Sequence, residues 1–236
     1  MLCSIGAVAG SALFLLFPEG IRKVLVPALI SYATGTMLGA AFIGMIPTSL
    51  AQAPVAHVMA TVLAGIVIFF VLEKFVLWRH CHEHHCEIHS QAGSLILVGD
   101  AFHNFVDGIV IAAAFLTSWP LGVATAIAVI AHEIPQEIGD FAILLESGYE
   151  RSKAFMLNGL SASTTLLGAW VAYIWLGEMS TVVPYILALS ASSFIYIAVA
   201  DLIPGLHRQA TLTATANQLS LLLAGIGTIV FLHSGG

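Results

Sequence analysis

The chain has 236 residues, of which 59% are hydrophobic and only 8% charged, with a mean hydropathy of +0.98 and a net charge of −6. Soluble domains carry about 25% charged residues, so this composition excludes one and predicts an integral membrane protein. The acidic balance without a basic patch excludes nucleic-acid binding. Three cysteines (Cys3, Cys81, Cys86) make no disulfide framework.

In chain order, eight apolar runs stand out, at roughly Leu2–Phe17, Val24–Ala51, Ala56–Leu77, Gly93–Leu116, Pro120–Leu145, Ala154–Leu176, Val182–Ile203 and Leu212–Leu232. About 20 apolar residues cross a bilayer as a helix, so an all-α protein of eight transmembrane helices in one domain over 1–236 is expected. The runs are too long and continuous for barrel strands, which alternate over about ten residues. The first run lacks a basic leader and reads as a span, not a cleavable signal.

All seven basic residues fall after runs one, three, five and seven: Arg22, Lys23, Lys74, Arg79, Arg151, Lys153 and Arg208. The positive-inside rule makes those connections cytoplasmic and places both termini on the extracytoplasmic face. The third connection, at about 79–91, has a composition of its own. It holds His80, His82, His84, His85 and His89 with Cys81 and Cys86, a tract suited to loose metal binding on the cytoplasmic side.

Runs four and five carry ionisable groups at bilayer depth, where each costs roughly 2.5–3.5 kcal/mol on insertion scales and marks function. In run four, His103 and Asp107 are one helical turn apart, Asn104 lies beside them, and Asp100 extends the stripe toward the cytoplasm. In run five, His132 and Gln136 share one stripe, Glu133 and Glu137 another, and Asp140 follows. The short connection at Ser118, Trp119 and Pro120 makes the two helices antiparallel neighbours, so their polar stripes face each other. Mixed imidazole and oxygen donors suit Zn²⁺, Fe²⁺ or Mn²⁺ over Cu⁺, Mg²⁺ or Ca²⁺. Two carboxylates, Asp107 and Glu133, balance one divalent charge. Asn158, Asp201 and the Ser161, Ser163, Thr164 and Thr165 group read as hydrogen bonds between helices. The small-residue runs Gly35–Ala41 and Ser190–Ser193 read as close packing surfaces.

These residues resemble the ZIP (Zrt/Irt-like) family of divalent metal transporters. His103-Asn104-x-x-Asp107-Gly108 is similar to its HNxxDG signature, and His132-Glu133-x-Pro135-Gln136-Glu137 to the HExPHE motif of its LIV-type branch. The resemblance implies a 3+2+3 bundle in which spans one to three and six to eight are related by inversion. It implies Zn²⁺ as a transported substrate imported toward the cytosol, with Fe²⁺, Mn²⁺ and Cd²⁺ as competitors, no organic cofactor and a homodimer. The metal ligands carry over as His103, Asn104, Asp107, His132, Glu133 and Gln136. Asp100, Glu137 and Asp140 then line an exit path or surround the ligands. The expected setting is a plasma or bacterial inner membrane.

Three features depart from the pattern: Gln136 stands where the LIV-type branch has a second histidine, Thr165 where some members have a glutamate that completes a second metal site, and Ala40 and Gly44 in span two where that branch often has Asp and His. Two other classes were weighed. An intramembrane metalloprotease would use His132-Glu133 as the start of HExxH, but Gln136 replaces the second histidine. A metal sensor would use the His80–His89 loop alone. Pro135 also predicts a broken helix between the would-be protease ligands, and a non-enzymatic transporter is expected.

Overall fold

A computed structural model describes residues 18–81, 88–176, 181–207 and 211–234. The run Leu2–Phe17 and the loop residues His82, His84, His85 and Cys86, with Arg208, lie outside the described residues. His80 and His89 sit at the facing ends of two helices that are described as backbone there.

The described residues are helical, with no strand among them. Helix α1 (Glu19–Gly39) continues through a π-helical stretch (Ala40–Met45) into α2 (Ile46–Gln52). Then come α3 (Val55–Cys81), α4 (Ile88–Thr117), α5 (Trp119–Glu146), α6 (Arg151–Ala162) and α7 (Thr164–Leu176). Helix α8 (Val183–Ile197) runs through a second π-helical stretch (Ala198–Leu202) into α9 (Ile203–Leu206), and α10 (Leu212–Ser234) ends the described chain. Each apolar run from the second to the eighth thus has a helical counterpart. Among the described residues, five stretches are long and apolar enough to cross a membrane: Val24–Gln52, Val55–Leu72, Leu97–Thr117, Val183–Leu206 and Leu212–Ser234.

The two π-helical stretches share a cause. Each is closed by an Ile-Pro step, Ile46-Pro47 and Ile203-Pro204, and proline removes the donor that the preceding carbonyl needs. The widened turn takes up the slack: Ile46 N–H reaches back five residues to Ala41, and Ile203 N–H to Ala198. The first stretch packs on α8 and the second on α1, a reciprocal arrangement.

The core lies where α1, α4, α5 and α8 meet, around Met37, Met45, Val110, Leu121, Val129, Leu187 and Phe194. Helices α3 and α10 are mostly exposed and apolar, with Leu63, Val67, Phe70, Leu223 and Phe231 facing outward as lipid-facing surfaces do.

Three local features place the site. Helices α4 and α5 are separated by Ser118 alone, whose hydroxyl accepts from Leu121 N–H at 3.3 Å and caps α5. This makes them antiparallel neighbours. Just past the end of α5, Gly148 with a φ of 85° supports the αL turn in which Tyr149 N–H returns to the Leu144 carbonyl at 3.1 Å. Helices α4 and α7 cross so closely that a Cβ on Gly108 would collide with the Thr165 carbonyl, and one on Gly168 with the Phe105 carbonyl.

Candidate metal site

Helix α5 runs through Pro135, which leaves the Ala131 carbonyl without its helical donor next to His132. There α5 faces α4, and four ligand-type side chains meet. His103 and Asp107 come from α4, His132 and Glu133 from α5, and one nitrogen or carboxylate oxygen of each lies within 4.8 Å of all the others. His103 Nε2 is 3.2 Å from His132 Nε2. It is 3.6 Å from both Asp107 Oδ2 and Glu133 Oε1. His132 Nε2 is 3.1 Å from Asp107 Oδ2 and 3.7 Å from Glu133 Oε1.

These separations have a simple meaning. A tetrahedral shell at about 2.0–2.1 Å from a zinc ion has ligand-to-ligand edges of about 3.3 Å. Five of the six edges here span 3.1–3.7 Å, and all lie within 4.8 Å.

Electrostatics point the same way. Asp107, His132 and Glu133 are buried, and neither α4 nor α5 carries a lysine or arginine. Among the described residues, both oxygens of Asp107 and of Glu133 lack a hydrogen-bond donor. Buried charge without a partner is costly in hydrocarbon, and a divalent cation supplies the missing countercharge. His132 is also oriented for it. Its Nδ1 lies 3.0 Å from the Ala128 carbonyl and donates to it, which leaves Nε2 with a lone pair facing the cluster. The buried Phe194 ring packs edge-on against His132, with centroids 5.8 Å apart, and closes that side.

Asn104 and Gln136 take a different position. Both amides donate to Asp100 Oδ1, each at 3.0 Å, while Asn104 Oδ1 faces the Thr165 hydroxyl at 2.9 Å. Asp140 lies against Asp100, on the side away from His132 along α5. Glu137, also buried, turns from the cluster toward α6, where Asn158 donates to its Oε2 and, at 3.2 Å, to its backbone carbonyl.

Of the polar groups read as helix-to-helix bonds, Asn158, Ser161, Thr164 and Thr165 behave as such. Ser163 instead donates to the Leu160 carbonyl three residues back at 2.6 Å, and the Asp201 side chain lies outside the described residues. Besides Asn158, Ser161 reaches the Leu97 carbonyl at 3.1 Å and Thr164 the Ala101 carbonyl at 2.6 Å. Sequence reasoning missed Phe194, one apolar residue in an apolar run. It also missed the hub role of Asp100, for which Asn104 one turn along the same helix and Gln136 on the facing helix are the signal.

Residues 78–233 match the family model described as ZIP Zinc transporter. Zinc transporter ZIP13 of Pongo abelii is 34% identical over 218 residues, covering 86% of this chain and 65% of that protein. Zinc transporter ZIP4 of Homo sapiens is 43% identical over 112 residues, covering 48% of this chain and 17% of that protein. An uncharacterized zinc transporter of Schizosaccharomyces pombe, P8A3.03, is 43% identical over 123 residues, 48% of this chain and 27% of that protein. The chain spans about a sixth of the length of ZIP4 and just under two thirds of ZIP13. It belongs to the ZIP zinc transporter family and is a multi-pass membrane protein.

Proposed function

We propose that this ZIP-family chain carries a divalent cation, zinc first, across a membrane into the cytosol through the cluster between α4 and α5. One observation carries the reading: His103, Asp107, His132 and Glu133 hold their ligand atoms at spacings that a tetrahedral zinc shell requires. Relatives named as zinc transporters support the cargo.

In this reading the ion sheds water on the extracytoplasmic side and exchanges it for two imidazoles and two carboxylates. The ions Fe²⁺, Mn²⁺ and Cd²⁺ compete for the same donors. Asn104 and Gln136 complete the shell as carbonyl donors while the ion is passed inward, and Asp100 and Asp140 line the way toward the histidine loop. The eight-span topology with both termini outside follows from the basic residues. The two Ile-Pro-closed π-helical stretches, each packed on the helix leading into the other, support an inverted repeat relating spans two and seven.

The test is zinc uptake by the purified protein in proteoliposomes. Uptake is expected to saturate and to fall at least about a hundredfold with His103→Ala or Glu133→Ala, because each removes a direct ligand. Unchanged uptake in either variant overturns the reading.

A further inference from the structure

We propose that Asp100 is the positioning residue that decides which atom Gln136 turns toward the cation, and through it the metal preference of this chain. The inference rests on the cation reading of the His103–Glu133 cluster and concerns a residue outside it.

Asp100 is buried on α4, one turn inward of His103, with side-chain amides on two helices converging on a single oxygen. Asn104 Nδ2 and Gln136 Nε2 both stand 3.0 Å from Asp100 Oδ1. An ionised carboxylate only accepts hydrogen bonds, so each amide must present its NH₂ to it. That fixes a choice an amide otherwise makes freely, since its oxygen and nitrogen have nearly the same shape. With its nitrogen committed to Asp100, Gln136 has only its carbonyl oxygen to offer a cation. Asp100 Oδ2 has no hydrogen-bond partner among the described residues, and Asp140 lies against the same carboxylate.

The chemical consequence is specific. A carbonyl oxygen is a neutral, hard donor, and adding it to two carboxylates and two imidazoles makes the site more oxygen-rich. Such sites favour Mn²⁺ and Fe²⁺ more than an imidazole in the same place does. A reversed amide would aim N–H groups at a cation and repel it. Carboxylates that orient ligands in this way are worth about 10–100-fold in metal affinity.

The experiment compares the full chain with Asp100→Asn, Gln136→Glu and the double variant Asp100→Asn with Gln136→Glu. Apparent Zn²⁺ and Mn²⁺ affinities are read both as KM in proteoliposome uptake and as equilibrium Kd in detergent, with thermal melting as the fold control. Each single variant is expected to weaken Zn²⁺ affinity about tenfold or more, since one frees the amide and the other sets two carboxylates against each other. The double variant restores the bond with its polarity reversed, so its Zn²⁺ affinity should return to within about threefold of the parent while the Mn²⁺ to Zn²⁺ ratio shifts. A double variant no better than Gln136→Glu alone overturns the proposal, and that comparison decides even if Asp100→Asn fails to fold. A parent protein that binds Zn²⁺ without carrying it overturns the transport reading instead, and the Kd values then decide the role of Asp100.

Discussion

In the neutral tautomer whose Nδ1–H donates to the Ala128 carbonyl, His132 Nε2 stands 3.1 Å from Asp107 Oδ2 with a lone pair, not a proton, between them. Two lone pairs at that distance repel in a low-dielectric interior. The contact is stable only if a cation, or a proton taken from elsewhere, sits between the atoms.

From this follows an opposite effect of Asp107→Asn on stability and on binding. Removing an uncompensated buried charge should raise the melting temperature of the metal-free protein. The same change should abolish the zinc-induced rise, which for the parent corresponds to about 2.7 kcal/mol at a hundredfold excess over Kd. Thermal unfolding in detergent with and without Zn²⁺ checks both. A variant that loses stability without metal and keeps the zinc-induced rise contradicts the assignment.

The packing of Asn158 on Glu137 makes a second prediction. Asn158 donates to the Glu137 side chain and backbone, and both residues are buried. Asn158→Ala strands the carboxyl and should destabilise the protein by about 1–3 kcal/mol. Glu137→Gln keeps an acceptor oxygen for Asn158 and should cost less than half as much. Equal losses in denaturant titrations of the two variants would show that the bond has no structural weight.

Much of this site was legible in the sequence, for a physical reason. At bilayer depth a polar residue is too costly to be incidental, and the helical period then fixes its neighbours. Spacing alone put His103 and Asp107 on one stripe and His132 on the facing helix. The short connection at Ser118 supplied the antiparallel pairing. Spacing also grouped Gln136 with His132, but it does not say which end of an amide faces inward. That depends on Asp100, a residue on another helix, and so appears only with the fold. Likewise, the proline steps at Pro47 and Pro204 announce disturbed helices, yet their resolution as π-helical turns depends on what packs beside them. Phe194 was beyond reach, since an aromatic over an imidazole leaves no mark in an apolar run.

A third prediction concerns Phe194, whose ring packs edge-on against His132. Phe194→Ala opens a cavity beside His132 and admits water. It should cost about 3–5 kcal/mol in stability. Phe194→Leu keeps most of the volume and loses the edge-on ring contact, so it should fold nearly normally with Zn²⁺ affinity reduced several-fold. Equilibrium zinc binding of the leucine variant separates a packing role from none: unchanged affinity shows that the ring does not help hold His132.

The crossing of α4 and α7 gives the last prediction. Gly108 and Gly168 each face a carbonyl of the other helix with no room for a Cβ, and Thr165, the residue bonded to Asn104, sits at that crossing. Gly108→Ala must push α7 away from α4, which breaks the contact between Thr165 and Asn104 and moves the helix that carries His103 and Asp107. The cost of such overpacking is about 1–3 kcal/mol. The loss in zinc uptake should exceed what the fall in folded protein explains, because the ligand geometry tolerates little displacement. Gly205→Ala, with open space around its position, is the matched control and should leave both properties near the parent's. Uptake per folded molecule decides the matter. Equal values for Gly108→Ala and the parent would show that the crossing supports the fold without setting the site.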